Sequence, residues 1–209
     1  MGVFKINETN YRLIFTKSNL TKDGIAEKET DYGDYFAWGA TEPWCTAYTR
    51  ESATKVTPTE WKTGKESGYV PANNPTLSKT YNANDVLSTS DDPVRQILGG
   101  DWQLPTIEIW QALNNTDNYD WDWTTMDGYN GRKVTSITDN TKSIFLPASG
   151  FVNGTVFADV GSDGDYWSGT AYSNTGAYGL SFDSGNVYAQ YNYRLCYGFS
   201  VRPVRLVAE

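Results

Sequence analysis

The stretch AYGLSFDSGNVYAQYNYRLCYGFSVRPV, residues 177–204, decides how the second half of the chain reads. In its first part Leu180 and Phe182 alternate with Gly179, Ser181 and Asp183. After the DSGN turn at 183–186, Val187 and Ala189 alternate with Tyr188, Gln190 and Asn192. Successive strand residues point to opposite faces, so this pattern predicts a hairpin with one apolar and one small, polar face. Tyrosine crowds the polar side. From Tyr166 to Tyr197 there are seven tyrosines (Tyr166, Tyr172, Tyr178, Tyr188, Tyr191, Tyr193, Tyr197), and the only charged residues are Asp183 and Arg194. Tyrosine offers large contact area at low entropy cost, and Ser, Gly and Asn offer adaptable hydrogen bonds, the mixture found in antibody-like binding surfaces. Tyrosine is also a good strand former, so the same composition fits a sheet with no binding role.

Outward from the hairpin, SIFLPASGFV, GDYWSGTA and GFSVRPVRLV read as further short strands split by turns. At the other end, residues 1–20 alternate and read as extended. Residues 29–44 are aromatic and turn-rich, and 45–89 read as long irregular structure with room for a short helix. Two helices are expected. In SDDPVRQILGG, Ser90 or Asp91 is the expected cap, Pro93 suits the first turn and Gly99 the end. In LPTIEIWQALNN, Thr106 is the expected cap, Glu108 suits the positive end, and Trp110 and Leu113 share a face. No helical pattern follows residue 114. The fold class expected is α+β.

Composition excludes several chemistries. The chain has 209 residues, a formal net charge of −8 and no histidine. Without histidine there is no His-dependent triad and no His-ligated zinc. The acidic balance disfavours nucleic acid and anionic membranes. No apolar run reaches the length of a membrane span. MGVFKINETN lacks the basic and apolar regions of a signal peptide, so export by another route, carriage on a particle or a trimmed chain is expected. Cys45 and Cys196 are either one disulfide or two free thiols.

Other candidates carry plainer explanations. Asp163 and Asp165 in VGSDGDYW have oxygen ligands suited to calcium, but Asp-Gly pairs usually form turns. Asp91 and Asp92 lie where a helix needs a cap. Trp121 and Trp123 in YDWDWTT alternate as core-facing strand residues do, with a sugar platform as the alternative. A reactive Cys196 has no obvious base nearby.

Five blocks in order, DYGDYFAWGATEP (31–43), GGDWQLPTIEIWQAL (99–113), SIFLPASGF (143–151), GDYWSGT (164–170) and GFSVRPVR (198–205), resemble the Fibrobacter succinogenes major paralogous domain, common in gut Bacteroidetes and their phages. The resemblance covers about residues 29–205. It implies a C-type-lectin-like fold related to formylglycine-generating enzymes, in which the W-x-L-P-T-x-x-x-W block opens a helix and the C-terminal strands form the ligand face. Residues 166–205 also resemble the variable region of a diversity-generating retroelement target protein. There, error-prone copying of adenines in AAY codons yields Tyr, Ser, Gly, Asp, Cys, Leu, Thr or Ala besides Asn. Tyr172, Ser173, Asn174, Thr175, Gly176, Gly179, Ser181, Asp183, Tyr188, Tyr191, Asn192, Tyr193, Leu195, Cys196 and Tyr197 are reachable that way, and these resemble the varied positions. Leu180, Phe182, Val187 and GFSVRP resemble scaffold, and Gln190 departs from the codon pattern. The WND and EPN or QPD motifs of calcium-dependent lectins are absent. The cysteines also lack the spacing of the copper-binding pair of formylglycine-generating enzymes, so neither activity is carried over.

The expectation is therefore one C-type-lectin-like α+β domain over 1–209, with two helices, short antiparallel strands and long irregular loops. Its N-terminal strand should lie near SVRPVRLV. The implied function is ligand binding without catalysis, cofactor or metal. The implied partner is a protein or glycan on a cell or phage-host surface, with no nucleic acid and no membrane insertion, and the implied location is extracellular, cell-surface or virion. A fixed adhesin and an oxidase using Cys45 and Cys196 are the alternatives.

Overall fold

The computed structural model describes residues 3–6, 9–43, 45–46, 77–153 and 156–208. The N-terminal part runs β1 (Val3–Ile6), β2 (Thr9–Phe15), β3 (Leu20–Thr21), β4 (Gly24–Ile25), β5 (Asp34–Tyr35) and β6 (Cys45–Thr46). Two helices follow, α1 (Pro93–Leu98) and α2 (Ile107–Leu113). The rest is strand: β7 (Tyr119–Met126), β8 (Tyr129–Ser136), β9 (Ser143–Pro147), β10 (Phe151–Asn153), β11 (Val156–Ala158), β12 (Gly164–Ser173), β13 (Gly176–Phe182), β14 (Val187–Arg194) and β15 (Val204–Ala208). These make small antiparallel sheets, including three-stranded ones in the orders β1-β2-β15, β7-β8-β9 and β12-β13-β14.

The α+β expectation is corrected. The chain is mostly β, 46% strand against 8% helix. Both helices form where the sequence places them, but they have only six and seven residues. Gly99 and Gly100, both with positive φ, stop α1 after its six residues. The segment 47–76, most of the stretch read as irregular, lies outside the described residues.

The caps also differ from expectation. Asp92, not Asp91 or Ser90, caps α1: its Oδ1 accepts from Val94 N at 2.8 Å, and its Oδ2 accepts from Leu104 N at 3.0 Å. Asp91 turns the other way and accepts from Ser78 N at 2.9 Å and the Tyr81 hydroxyl at 2.6 Å. Thr106 makes no side-chain cap bond. The first amide of α2, Ile107 N, instead donates to Thr170 Oγ1 on β12 at 3.0 Å. A helix end needs some acceptor, and here a distant strand supplies it.

The expected closure by the termini is present. β15 pairs antiparallel with β2, with Leu206 opposite Leu13. Aromatic residues build the core, and each deeply buried indole finds an acceptor. Trp110 Nε1 donates to Trp167 O at 3.2 Å, Trp167 Nε1 to Phe36 O at 2.7 Å, and Trp38 Nε1 to Ser168 O at 2.8 Å. Trp121 and Trp123 pack partly buried against the core beside Phe182, as the core reading of YDWDWTT expected. Behind them Arg202, from the GFSVRP block, is fully buried. Its guanidinium donates to Asn19 Oδ1 and to the carbonyls of Thr16, Lys17 and Phe145.

Candidate functional site

The β13–β14 hairpin forms as its alternation requires, closed by the DSGN turn. Asp183 Oδ1 accepts from Gly185 N at 2.6 Å and Asn186 N at 2.8 Å, and these bonds hold its carboxyl below the usual range. Arg132 on β8 grips the same turn from the next sheet, donating to Asp183 O at 2.8 Å and to Trp121 O at 2.7 Å. Leu180, Phe182 and Ala189 are buried beneath α2, with Trp110 and Leu113.

Strict alternation fails at one place. Gly179 pairs with Tyr191 and Ser181 with Tyr188, so Leu180 alone faces both Ala189 and Gln190. This bulge changes which residues share a face. Tyr188, Tyr191 and Tyr193 fall on one side with Ser181 and Gly179, while Asn192 and Arg194 fall on the other with Tyr178 and Gly176. The Gln190 side chain accepts a hydrogen bond from Gln111 Nε2 on α2 at 2.9 Å.

The result is a row of rings running from solvent into the core. Tyr188 and Tyr191 are about half exposed, with centroids 6.1 Å apart. Tyr191 lies 5.1 Å from Tyr193, and Tyr193 meets Phe199 edge-on at 4.6 Å. Phe199 stacks on buried Trp167 at 4.2 Å. The exposed end is thus held by a rigid inner end. At the far end of the hairpin, where β14 is the edge of its sheet, a groove of about 450 Å³ takes residues from both faces: Tyr172, Ser173, Thr175, Gly176, Tyr197 and the run Tyr191–Arg194. A site of this size lies within the range of small-ligand pockets. Tyr172 packs against Tyr178 at 5.4 Å.

All the groove residues except Arg194 were among those expected to vary. Arg194 was missed because a cation between Tyr193 and Leu195 gives no signal of its own. Of the remaining expected positions, Asn174, Tyr188, Ser181 and Asp183 are exposed or half-exposed outside the groove, Asp183 serving the turn. Leu195 and Cys196 are a correction to the displayed surface: they are 3% and 7% exposed and face the core. Cys196 is a free thiol whose pKa burial raises, which makes it a poor nucleophile. The Cys45 side chain, and with it any cysteine pairing proposed for it, lies outside the described residues.

Gly179 is a second correction. A Cβ there would lie 2.8 Å from Tyr166 O, closer than packed atoms allow. We expect Gly179→Val to lower stability by about 1–3 kcal/mol through overpacking, read by urea denaturation. Unchanged stability would mean that the β12–β13 contact yields freely.

Asp165, considered above as a turn or calcium residue, lies behind the tyrosine row. It is almost fully buried opposite Ser181 and accepts from the Tyr193 hydroxyl at 2.9 Å. Burial pushes its carboxyl up from 3.8 to about 6, with the bonds from Tyr193 and Ser181 opposing. Burial and the Asp165 charge likewise raise the Tyr193 phenol. Because the folded pKa exceeds the unfolded one, the folded state holds the proton more tightly. The contribution is full below pH 4 and declines as pH rises towards 6, a loss of about 3 kcal/mol once the buried carboxylate ionises. Asp165→Asn keeps an acceptor for Tyr193. It should stabilise the protein at pH 7 by about 1–3 kcal/mol and flatten the pH 4–6 slope in denaturation measurements. An unaltered slope would assign the titration elsewhere. Asp163 stays partly exposed in the preceding turn, and among the described residues no three acidic or sulfur side chains are grouped to hold a metal. Among them too, no helix is long and apolar enough to cross a membrane.

Residues 132–204 match a domain family of unknown function, DUF8237. The match covers about a third of the chain, from Arg132 on β8 to the start of β15, and so takes in the hairpin, the tyrosine row and the groove. Neither a curated protein nor a solved structure matches the chain.

Proposed function

We propose that the protein is a non-catalytic ligand-binding protein of the kind the Fibrobacter succinogenes major paralogous domain represents, with a retroelement-diversified surface on the β12–β14 sheet. Its place would be a bacterial cell surface or a phage particle, and its partner a molecule on a facing surface. One observation carries this reading. The groove and the exposed tyrosines are built almost wholly from positions that resemble the varied set, while the interleaved Leu180, Phe182 and Val187, which resemble scaffold, are buried or half-buried against the core. Change at the exposed positions leaves core contacts intact, so side chains there can vary at a cost of about 0.5 kcal/mol or less, whereas Tyr193 is tied to Asp165 and Phe199.

The test is to sequence this locus and its flanking DNA from several isolates. Differences should concentrate at Tyr172, Ser173, Asn174, Thr175, Tyr188, Tyr191, Asn192 and Tyr197 and trace to adenines in a nearby template copy. Gly179, Leu195 and Cys196 should stay constant, for the steric reasons above. Invariance at the exposed positions, with no template copy, would replace a diversified binder with a fixed adhesin.

A further inference from the structure

We infer that the groove binds an acidic oligosaccharide, its carboxylate paired with Arg194 and its sugar faces laid against Tyr172 and Tyr191. This rests on the groove being the ligand site and goes on to name the ligand class. Arg194 supplies the first argument. Among the described residues it is the one charged residue lining the groove, and it is exposed. Among the described residues the ion pairs join Lys17 to Glu29, Lys22 to Asp23, Arg95 to Asp92 and Lys142 to Asp139, and none involves Arg194. Its guanidinium makes no hydrogen bond to any described residue, although its main-chain carbonyl accepts from Tyr197 N at 3.1 Å. Against the chain's net charge of −8, a cation without an ion-pair partner among the described residues gives this groove a local attraction for an anion. The planar guanidinium fork matches a carboxylate with two parallel hydrogen bonds.

The remaining walls choose the body of the ligand. They offer the hydroxyls of Ser173 and Thr175, the amide of Asn192 and phenol rings, with no aliphatic side chain among them. A peptide anchored by an apolar side chain would find no pocket for it. A sugar presents what these walls complement, C–H faces to lie on rings and hydroxyls to meet hydroxyl and amide groups.

The test is calorimetric titration of the intact protein with two matched pairs, trigalacturonic acid against its methyl ester and 3′-sialyllactose against lactose. At least one acidic member should bind roughly tenfold or more tighter than its neutral counterpart. Arg194→Gln should remove that preference, so that acidic and neutral members bind alike, while Tyr191→Ala should weaken both. Equal binding within both pairs, no binding by either acidic sugar, or an Arg194→Gln variant that binds as well as the parent would overturn the inference. So would tighter binding of a sulfated neutral trisaccharide or of a triglutamate peptide than of either acidic sugar. Failure of the wider reading is separable: host-cell binding lost in Tyr191→Ala but kept in Arg194→Gln retains the surface as a binding site and removes the acidic sugar. Cell binding indifferent to both substitutions removes both.

Discussion

Arg202→Met should cost about 3–5 kcal/mol of folding stability, through the loss of several buried hydrogen bonds at once. Arg202 is fully buried and its guanidinium holds together segments far apart in the chain. Nε donates to Asn19 Oδ1 at 2.7 Å, Nη1 to Lys17 O at 2.8 Å and Nη2 to Phe145 O at 2.8 Å. Methionine fills similar volume but donates nothing, so one side-chain amide oxygen and several carbonyls are left buried without partners. Lysine restores the charge but cannot reach three directions from one planar group, so Arg202→Lys should recover only part of the loss. Urea denaturation of the three proteins checks this. A loss below about 1 kcal/mol in Arg202→Met would mean that water replaces the guanidinium at these acceptors.

Trp167→Ala should cost a comparable amount, about 3–5 kcal/mol, and should in addition remove ligand binding. The indole is buried, donates to Phe36 O at 2.7 Å and stacks on Phe199 at 4.2 Å. Phe199 in turn backs Tyr193. Removing the indole leaves a cavity beneath the inner end of the tyrosine row, so Tyr193 and then Tyr191 lose their support. Trp167→Phe should fall between, keeping the stack and losing the hydrogen bond. Denaturation and ligand titration on the same samples separate the roles: Tyr191→Ala should lose binding with stability nearly unchanged, whereas Trp167→Ala should lose both. Full binding in a destabilised Trp167→Ala would show that the outer tyrosines do not depend on the inner stack.

Much of the hairpin was legible because its signals are local. Leu180 and Phe182 alternate with small residues, and DSGN is a turn whatever surrounds it. Pro93 and Gly99 bound α1 for the same reason, since their backbone preferences act within one or two residues. The caps were not legible. Asp91 and Asp92 are chemically identical neighbours, and their roles are separated by Ser78 and Tyr81 on one side and Leu104 on the other. The α+β expectation rested on two helices ahead of a β-rich second half, and nothing in their periodicity reveals that each stops after about two turns.

What the sequence by itself determined is the inventory and the short-range order: a chain without histidine, a tyrosine-rich hairpin with one apolar face, two helix starts, and a terminal strand able to close on the first. Those follow from side-chain chemistry and from backbone preferences that need only near neighbours. The tertiary structure alone decided the bulge at Ala189–Gln190, the inward turn of Leu195 and Cys196, the close approach of Gly179 to Tyr166, the burial of Asp165, and the arrival of Arg194 in the groove. Each depends on contacts between residues distant along the chain. The register and depth of a strand residue are set by what lies across the sheet and beneath it, and that partner is not written in the residue's own neighbourhood.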